Sequence, residues 1–120
     1  MLKPIKIETG IVYKTWGHEL ILVNNEDSNY CSKHLCIDSG SRLSLQFHAV
    51  KSETLILLSG ECDLVYVDTI DGVEHTLEMK RMAPTEIPRL LPHSLRAITD
   101  CVILEVSNFH RDSDTYRIYK

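Results

Sequence analysis

The chain has 120 residues, of which 43% are hydrophobic and 25% charged, the composition of a globular protein with a single core. A formal net charge of -4 and a pI near 5.8 give no general attraction to nucleic acid or to anionic membrane surfaces. No apolar run reaches the roughly 18 residues of a membrane span, and Met1 is followed by no apolar signal core, so we expect a cytoplasmic protein.

The four cysteines lack the paired spacing of a zinc site. Because cytoplasmic disulfides are rare, we expect all four thiols to be reduced. They are Cys31, Cys36, Cys62 and Cys101.

Short β-rich runs separated by turn residues about every 8 to 12 positions fill most of the chain. This pattern predicts an all-β sandwich or barrel. The predicted strands are, in chain order, Glu19 to Val23, Tyr30 to Ile37, Arg42 to Phe47, Glu53 to Ser59, Glu61 to Thr69, Val73 to Lys80, Thr85 to Ile87, Ser94 to Ala97 and Val102 to Ser107.

The chain shows no internal repeat and no linker, so residues 1–120 are predicted to form one domain. Residues 1–10 are predicted to be an N-terminal arm or an edge strand, which could cross to a partner subunit. Residues 108–120 are predicted to be a C-terminal tail that packs over one mouth of the barrel or frays.

The run from Arg42 to His48 alternates strictly between polar and apolar residues, so its polar face either meets solvent or lines the inside of a barrel. The apolar face carries Leu43, Leu45 and Phe47, and the polar face carries Arg42, Ser44, Gln46 and His48. If the apolar face is outside, it needs cover, which favours a homodimer.

Two further segments favour the barrel interior. Glu53 opens the strand that follows the turn after His48, and a turn framed by Pro88 and Pro92 delivers His93 to the start of another strand. Together with Gln46, these residues bring an amide oxygen, a carboxylate and two imidazoles together, which suits one divalent transition metal ion.

These residues resemble the first sequence motif of the cupins. Gly40, Gln46-Phe47-His48, Glu53 and Gly60 keep every spacing of that motif, with Gln46 in place of its first histidine. The resemblance implies a cupin domain, which is a double-stranded β-helix or jelly-roll barrel. It also implies metal binding by His48, Glu53 and His93, with Gln46 either a fourth ligand or a lost one.

The second cupin motif is matched less well. Pro88 and His93 are in place, but Leu90 stands where the motif has glycine and Ala97 where it has asparagine. These two departures concern the conformation of the turn before His93 more than the role of His93 as a ligand.

The run from Gly40 to His48 is similar to the corresponding run of the type II phosphomannose isomerases, in their C-terminal domain, and the likeness extends through Trp16-Gly17 to the acidic tail at Asp112. In that family a glutamine, two histidines and a glutamate bind zinc. The resemblance implies an aldose-ketose isomerase of a sugar or sugar phosphate, with zinc, or else manganese, nickel or iron, in the site.

The other site candidates each have a second interpretation. Arg42 would either hold an anionic group of the substrate or form a salt bridge at the rim of the barrel. Lys51 would either steer an anionic substrate or pass protons, or else be a solvated lysine in a turn. Lys33 is interpreted as a stem at the rim rather than an inward amine, and Tyr66 as a pocket wall or a core residue. Arg96 has the opposite parity from His93 and is expected to point away from the metal.

Two other functions remain open from the sequence. An Fe(II) dioxygenase would use the same two histidines and glutamate. A non-catalytic module would bind a metal or a carbohydrate in the same barrel. All three functions predict a small-molecule ligand.

Overall fold

The structure is a computed structural model and describes residues 2–119. Residues 1 and 120, which belong to the predicted arm and tail, lie outside the described residues. The strands are β1 (Gly10–Lys14), β2 (Gly17–Asn25), β3 (Tyr30–Ile37), β4 (Leu45–His48), β5 (Glu53–Ser59), β6 (Cys62–Val67), β7 (Glu74–Glu78), β8 (Thr85–Ile87), β9 (His93–Ala97), β10 (Cys101–Ser107) and β11 (Thr115–Tyr119), and a 3-10 turn spans Asp112–Asp114.

The strands form two antiparallel sheets. The six-stranded sheet has the order β1-β2-β3-β10-β5-β8, and the five-stranded sheet has the order β11-β4-β9-β6-β7. Chain neighbours such as β4 and β5 therefore lie in different sheets, so the segment between them crosses from one sheet to the other. The predicted all-β class is confirmed.

A single apolar core lies between the sheets. Successive side chains of a strand point to opposite faces, so in the central strands every second residue is buried. On β5 these residues are Leu55 and Leu57, on β10 Ile103, and on the opposing sheet Leu64 and Leu95.

Most predicted strands are found within one or two residues of their predicted ends, but β1 and β11 were not predicted as strands. Residues 10–14 form β1 and pair with β2, whereas residues 2–9 of the predicted arm or edge strand form no strand. The predicted C-terminal tail contains β11, which pairs with β4 and extends the second sheet.

The strict alternation from Arg42 to His48 does not hold at its start. Strand β4 begins only at Leu45, and Arg42 forms an isolated bridge with Arg96. Leu43 packs against the core, Leu45 is 3% exposed, and Phe47 stacks on Tyr116. The prediction of an uncovered outward face at Leu43, Leu45 and Phe47 is therefore wrong. These residues do not support a dimer.

Two turns have left-handed backbone. Gly60, at the end of β5 opposite Glu53, has φ 81°, and a Cβ there would lie 2.1 Å from the Asp100 carbonyl oxygen, so only glycine fits. Leu90, in the turn before His93, has φ 71°, a conformation that costs a residue with a Cβ about 1–2 kcal/mol. The turn before His93 therefore has the left-handed backbone that favours glycine, with leucine in that position.

Within the described residues no helix is long and apolar enough to cross a membrane. All four cysteines are free thiols, as predicted.

Candidate metal centre

Three side chains with metal-ligating atoms meet inside the barrel at one end of the core. His48 ends β4, Glu53 begins β5 and His93 begins β9. All three are buried, and one ligand atom from each lies within 4.8 Å of the others. The loop from 49 to 52 and the turn before β9 thus bring together the residues that spacing predicted.

Both imidazoles are oriented by backbone carbonyls. His48 Nδ1 lies 3.1 Å from the Asp114 carbonyl oxygen, and His93 Nδ1 lies 2.9 Å from that of Leu91. A carbonyl accepts only, so each Nδ1 carries a hydrogen and each Nε2 is the atom left for a metal.

The donor set fits a divalent cation. Glu53 Oε1 lies 2.8 Å from His93 Nε2, so a protonated His93 pairs with the carboxylate and a neutral His93 offers its Nε2 lone pair instead. Glu53 Oε2 is buried and makes no hydrogen bond among the described residues, although Lys51 Nζ lies 3.4 Å away. A buried carboxylate oxygen without a hydrogen bond is costly unless a cation satisfies it. Two imidazoles and a carboxylate suit zinc, iron or manganese.

The ligand groups have shifted pKa values. Burial, assisted by the charge of Lys51, lowers the pKa of His48 to about 4, so this imidazole is neutral near pH 7. Burial opposes charge on His93 and Glu53 as well, but their mutual hydrogen bond outweighs it. It raises the pKa of His93 and lowers that of Glu53.

Asp114 holds the loop between the first two ligands. Its carboxylate accepts hydrogen bonds from the backbone N–H groups of Ala49, Val50 and Lys51 at 2.9 to 3.3 Å, while its carbonyl orients His48. These backbone hydrogen bonds lower the pKa of Asp114 against the opposing effect of burial. One residue of the C-terminal segment therefore fixes both the loop and a ligand ring.

Lys51 lies inside the barrel, beside the ligands. It is 3% exposed, and its Nζ donates to Glu105 Oε2 at 3.1 Å and to His110 Nδ1 at 3.0 Å. The interpretation of Lys51 as a solvated turn lysine is wrong. Burial would lower the Lys51 pKa, but the carboxylates of Glu105 and Glu53 raise it, so the amine is a cation.

Glu105 is a second buried carboxyl group in the same cluster. Burial and the negative charge of Glu53 raise its pKa to about 7, although Lys51 and Lys33 act in the opposite direction. Glu105 was not predicted as a site residue, although its position in the strand pointed to a buried carboxylate. It shares the inward face of β10 with Cys101 and Ile103, and a carboxylate in a row of buried apolar positions needs a specific partner.

Gln46 lies next to the ligand group. It is directly opposite His93 in the ladder between β4 and β9, so the two side chains share a face. Its Oε1 accepts a hydrogen bond from the Ser44 hydroxyl at 3.3 Å. Gln46 also lines a small inner cavity of about 20 Å³ together with Glu53, His93 and Glu105.

The remaining predicted site residues are dispersed. Lys33 is buried rather than a rim stem, and its Nζ lies 3.8 Å from Glu19. Arg42 is exposed on an outer cleft, and Tyr66 stacks on His75 and lines neither the inner cavity nor that cleft. Arg96 pairs with Asp63 at 3.2 Å, away from the ligands as expected.

His110 and Asp114 were not predicted to belong to the site. The His110 ring contacts Lys51 on one side and Asp112 on the other. No periodicity marks either residue, because both lie in a segment whose position depends on the pairing of β11 with β4.

The outer cleft is larger, at about 630 Å³. The two cavities share Leu43, Ser44 and Gln46 in their linings. Gln46 therefore lies between the outer cleft and the ligand group.

Comparison with known proteins identifies the architecture. No family model matches the chain, and no curated protein matches it in sequence. Among solved structures, the capsular polysaccharide assembling protein CapF from Staphylococcus aureus superposes with a TM-score of 0.82 at 16% identity, over 96% of this chain and 33% of that one.

Oxalate decarboxylase of Bacillus subtilis superposes comparably. Its structure at pH 4.6 gives a TM-score of 0.78 at 17% identity, over 92% of this chain and 30% of that one. A second structure of the same enzyme, described for its Mn(II) centres, gives a TM-score of 0.78 at 19% identity, over 92% of this chain and 30% of that one. The chain spans about a third of the length of each of these proteins. At such identities the likeness shows the fold alone, and that fold is the cupin barrel, with a His48, Glu53, His93 group able to hold a metal ion.

Proposed function

We propose that the protein is a metal-dependent isomerase that interconverts the aldose and ketose forms of a sugar or sugar phosphate. The observation that carries this proposal is the buried group of His48, Glu53 and His93 with Gln46 on the adjoining strand position. A bound divalent cation would supply electrostatic stabilisation of negative charge that develops on substrate oxygens.

The chain's own residues fit the remaining requirements of such a reaction. An aldose-ketose interconversion moves a proton between two adjacent carbons, so a group that holds a proton must lie beside the ligands. Lys51 and Glu105 are buried there, with Lys51 Nζ 3.4 Å from Glu53 Oε2 and 3.1 Å from Glu105 Oε2. Glu105 also lines the inner cavity, and Lys51 links Glu105 to Glu53 in one network of charges.

A second candidate is an Fe(II) dioxygenase. It is favoured by the composition of the group, since two histidines and one carboxylate are the ligand set of oxygen-activating iron. Iron in the purified protein together with oxygen uptake, and no isomerisation of any sugar, would favour this function over the isomerase.

The experiment is a substrate panel assayed on the metal-loaded protein. Mannose 6-phosphate, glucose 6-phosphate and the free sugars would be incubated with wild type, His48→Ala, Glu105→Gln and the control His34→Ala. We expect conversion of at least one substrate by wild type and by His34→Ala, and none by His48→Ala. Loss of kcat with retained metal in Glu105→Gln would support its place beside the substrate. No conversion of any sugar by a metal-loaded, folded protein would contradict the proposal.

A further inference from the structure

The outer cleft carries a cluster of cationic side chains drawn from three distant parts of the chain. Lys14 ends β1, Arg42 precedes β4, and Arg117 lies in β11. The cleft also contains Glu19 and Asp112. Because the chain as a whole has a net charge of -4, an excess of cations in one concave surface is a local feature and does not follow from composition.

The cleft contains more cations than carboxylates. Its lining has three cationic side chains, Lys14, Arg42 and Arg117, against Glu19 and Asp112. Glu19 lies 3.8 Å from the buried Lys33 Nζ, which offsets its charge, and neither Lys14 nor Arg117 forms an ion pair within residues 2–119. The cleft therefore presents a net positive charge to an incoming ligand.

The register of β11 connects this charge to the metal centre. Arg117 pairs with Gln46 and Thr115 with His48 in the ladder between β11 and β4. Residues directly opposite in a ladder share a face, so Arg117 and Thr115 lie on the side of the sheet that carries Gln46 and His48. Tyr116, on the other face, stacks on Phe47 instead.

We propose that this cleft is a subsite for the oxyanion group of a small ligand, held chiefly by Arg117 with Lys14 and Arg42. Guanidinium groups bind phosphate and carboxylate through paired N–H donors, which makes arginine well suited to this role. Ser44 and Thr115 add hydroxyls, and Gln46 adds an amide, along the cleft wall.

The size of the cleft sets the class of ligand. A volume of about 630 Å³ is in the range of pockets for small organic molecules, whereas the inner cavity of about 20 Å³ admits little more than one water-sized group. The ligand is therefore a sugar-sized molecule that lies in the cleft, with its anionic end at Arg117 and its reacting end toward Gln46. This link to the metal centre rests on the proposed isomerase function, while the oxyanion subsite itself does not.

The test is a binding measurement, independent of turnover. Calorimetric titration with glucose 6-phosphate, glucuronate and uncharged glucose would be made on the metal-depleted protein and on the metal-loaded one. The variants are Arg117→Gln, Lys14→Gln and, as a matched control, Arg81→Gln, because Arg81 is an exposed arginine outside the cleft. Metal content and unfolding are measured for each variant, so that a change at the metal centre or in the fold is recognised.

We expect at least one of the two anionic ligands to bind more tightly than glucose, with at least a tenfold loss of affinity in Arg117→Gln and none in Arg81→Gln. Tighter binding of glucose 6-phosphate would show that the subsite takes a phosphate. Tighter binding of glucuronate would show that it takes a carboxylate. Equal binding of glucose and of both anions, or an equal loss in Arg81→Gln, would overturn the subsite. Because binding is scored without turnover, an inactive protein that still binds the anion at Arg117 would refute the isomerase and leave the subsite standing.

Discussion

At the scale of single residues, the metal centre depends on a side chain that would not bind metal itself. Asp114 accepts hydrogen bonds from three consecutive backbone N–H groups of the loop between His48 and Glu53. An aspartate that satisfies buried donors is hard to replace, because each orphaned donor costs free energy.

We expect Asp114→Ala to lower the free energy of unfolding by about 1–3 kcal/mol, since it leaves buried N–H groups without acceptors. It should also weaken metal binding, because the loop and the His48 ring lose their fixed positions. Urea unfolding and metal titration would be compared with Ser113→Ala, an exposed neighbour. If Asp114→Ala matched Ser113→Ala in both measurements, the anchoring role would be wrong.

The pKa of His48 predicts a pH dependence of stability in the metal-depleted protein. The folded value of about 4 lies below the ordinary 6.5. Between these two pH values His48 is therefore protonated in the unfolded chain and neutral in the folded one. The contribution of His48 is fully present above pH 6.5, declines as the pH falls toward 4, and amounts to roughly 3 kcal/mol at most.

His93 acts in the opposite direction, because its pKa is raised and its protonated form pairs with Glu53. The effect of His48 is therefore isolated by comparing wild type with His48→Gln in urea unfolding at pH 7.5 and pH 5. We expect the variant to lose less stability between these two pH values than wild type does. A larger loss in the variant would show that His48 is not held neutral.

At the scale of elements, the turn at the end of β5 opposite Glu53 requires glycine. Gly60, between β5 and β6, has no room for a side chain, because a Cβ would meet Asp100 and Cys101. We expect Gly60→Ala to destabilise the protein by more than about 2 kcal/mol, through both the left-handed φ and the clash. Gly72→Ala is the matched control, since Gly72 also has positive φ but nothing lies within 4 Å of its Cβ position. Equal losses in thermal or urea unfolding would exclude the clash as the cause.

The same elements show how much the sequence could predict. The three ligand residues, His48, Glu53 and His93, were predictable. Each lies at the end of a strand, next to a short turn whose residues are recognisable in the sequence. Strand β11 was missed although Thr115 to Ile118 alternate between polar and apolar residues, because the run is short and lies in a polar segment. The strand is defined by its pairing with β4, a contact between segments about 70 residues apart.

Long-range pairing also explains why Lys51 and Lys33 were misinterpreted. A lysine is almost always exposed unless a partner charge is buried with it. Two of the partners of Lys51, Glu105 and His110, lie more than 50 residues away, and only Glu53 is close in sequence. The partner of Lys33 is Glu19, on the neighbouring strand β2. The parity of Lys33 with Leu35 and Ile37 allowed an inward amine, but the carboxylate that stabilises it there is recognisable only once the strands are paired.

At the scale of the whole molecule, β1 offers a surface for a second copy of the chain. It forms one edge of the six-stranded sheet, and all five of its residues are exposed. An exposed edge strand with apolar side chains favours pairing with another strand. In β1 these side chains are Ile11, Val12 and Tyr13.

We therefore expect a homodimer, with twice the 13.7 kDa chain mass in light scattering at micromolar concentration. Ile11→Glu should shift the protein toward monomer, because it places a charge in the interface. Ile70→Glu should not, although Ile70 is 95% exposed, since it lies outside the strands, beyond the end of β6. A monomeric wild type would show that β1 is not a dimer interface.

The central claim is that His48, Glu53 and His93 hold one divalent metal ion. Its most direct test is elemental analysis of protein purified without added metal, for wild type, the double variant His48→Ala/His93→Ala and the control His34→Ala, with circular dichroism to establish folding. We predict close to one equivalent of zinc, manganese, nickel or iron per chain in wild type and control, and loss of most of it in the double variant. A folded wild type without metal, or a double variant that keeps the full equivalent, would contradict the claim.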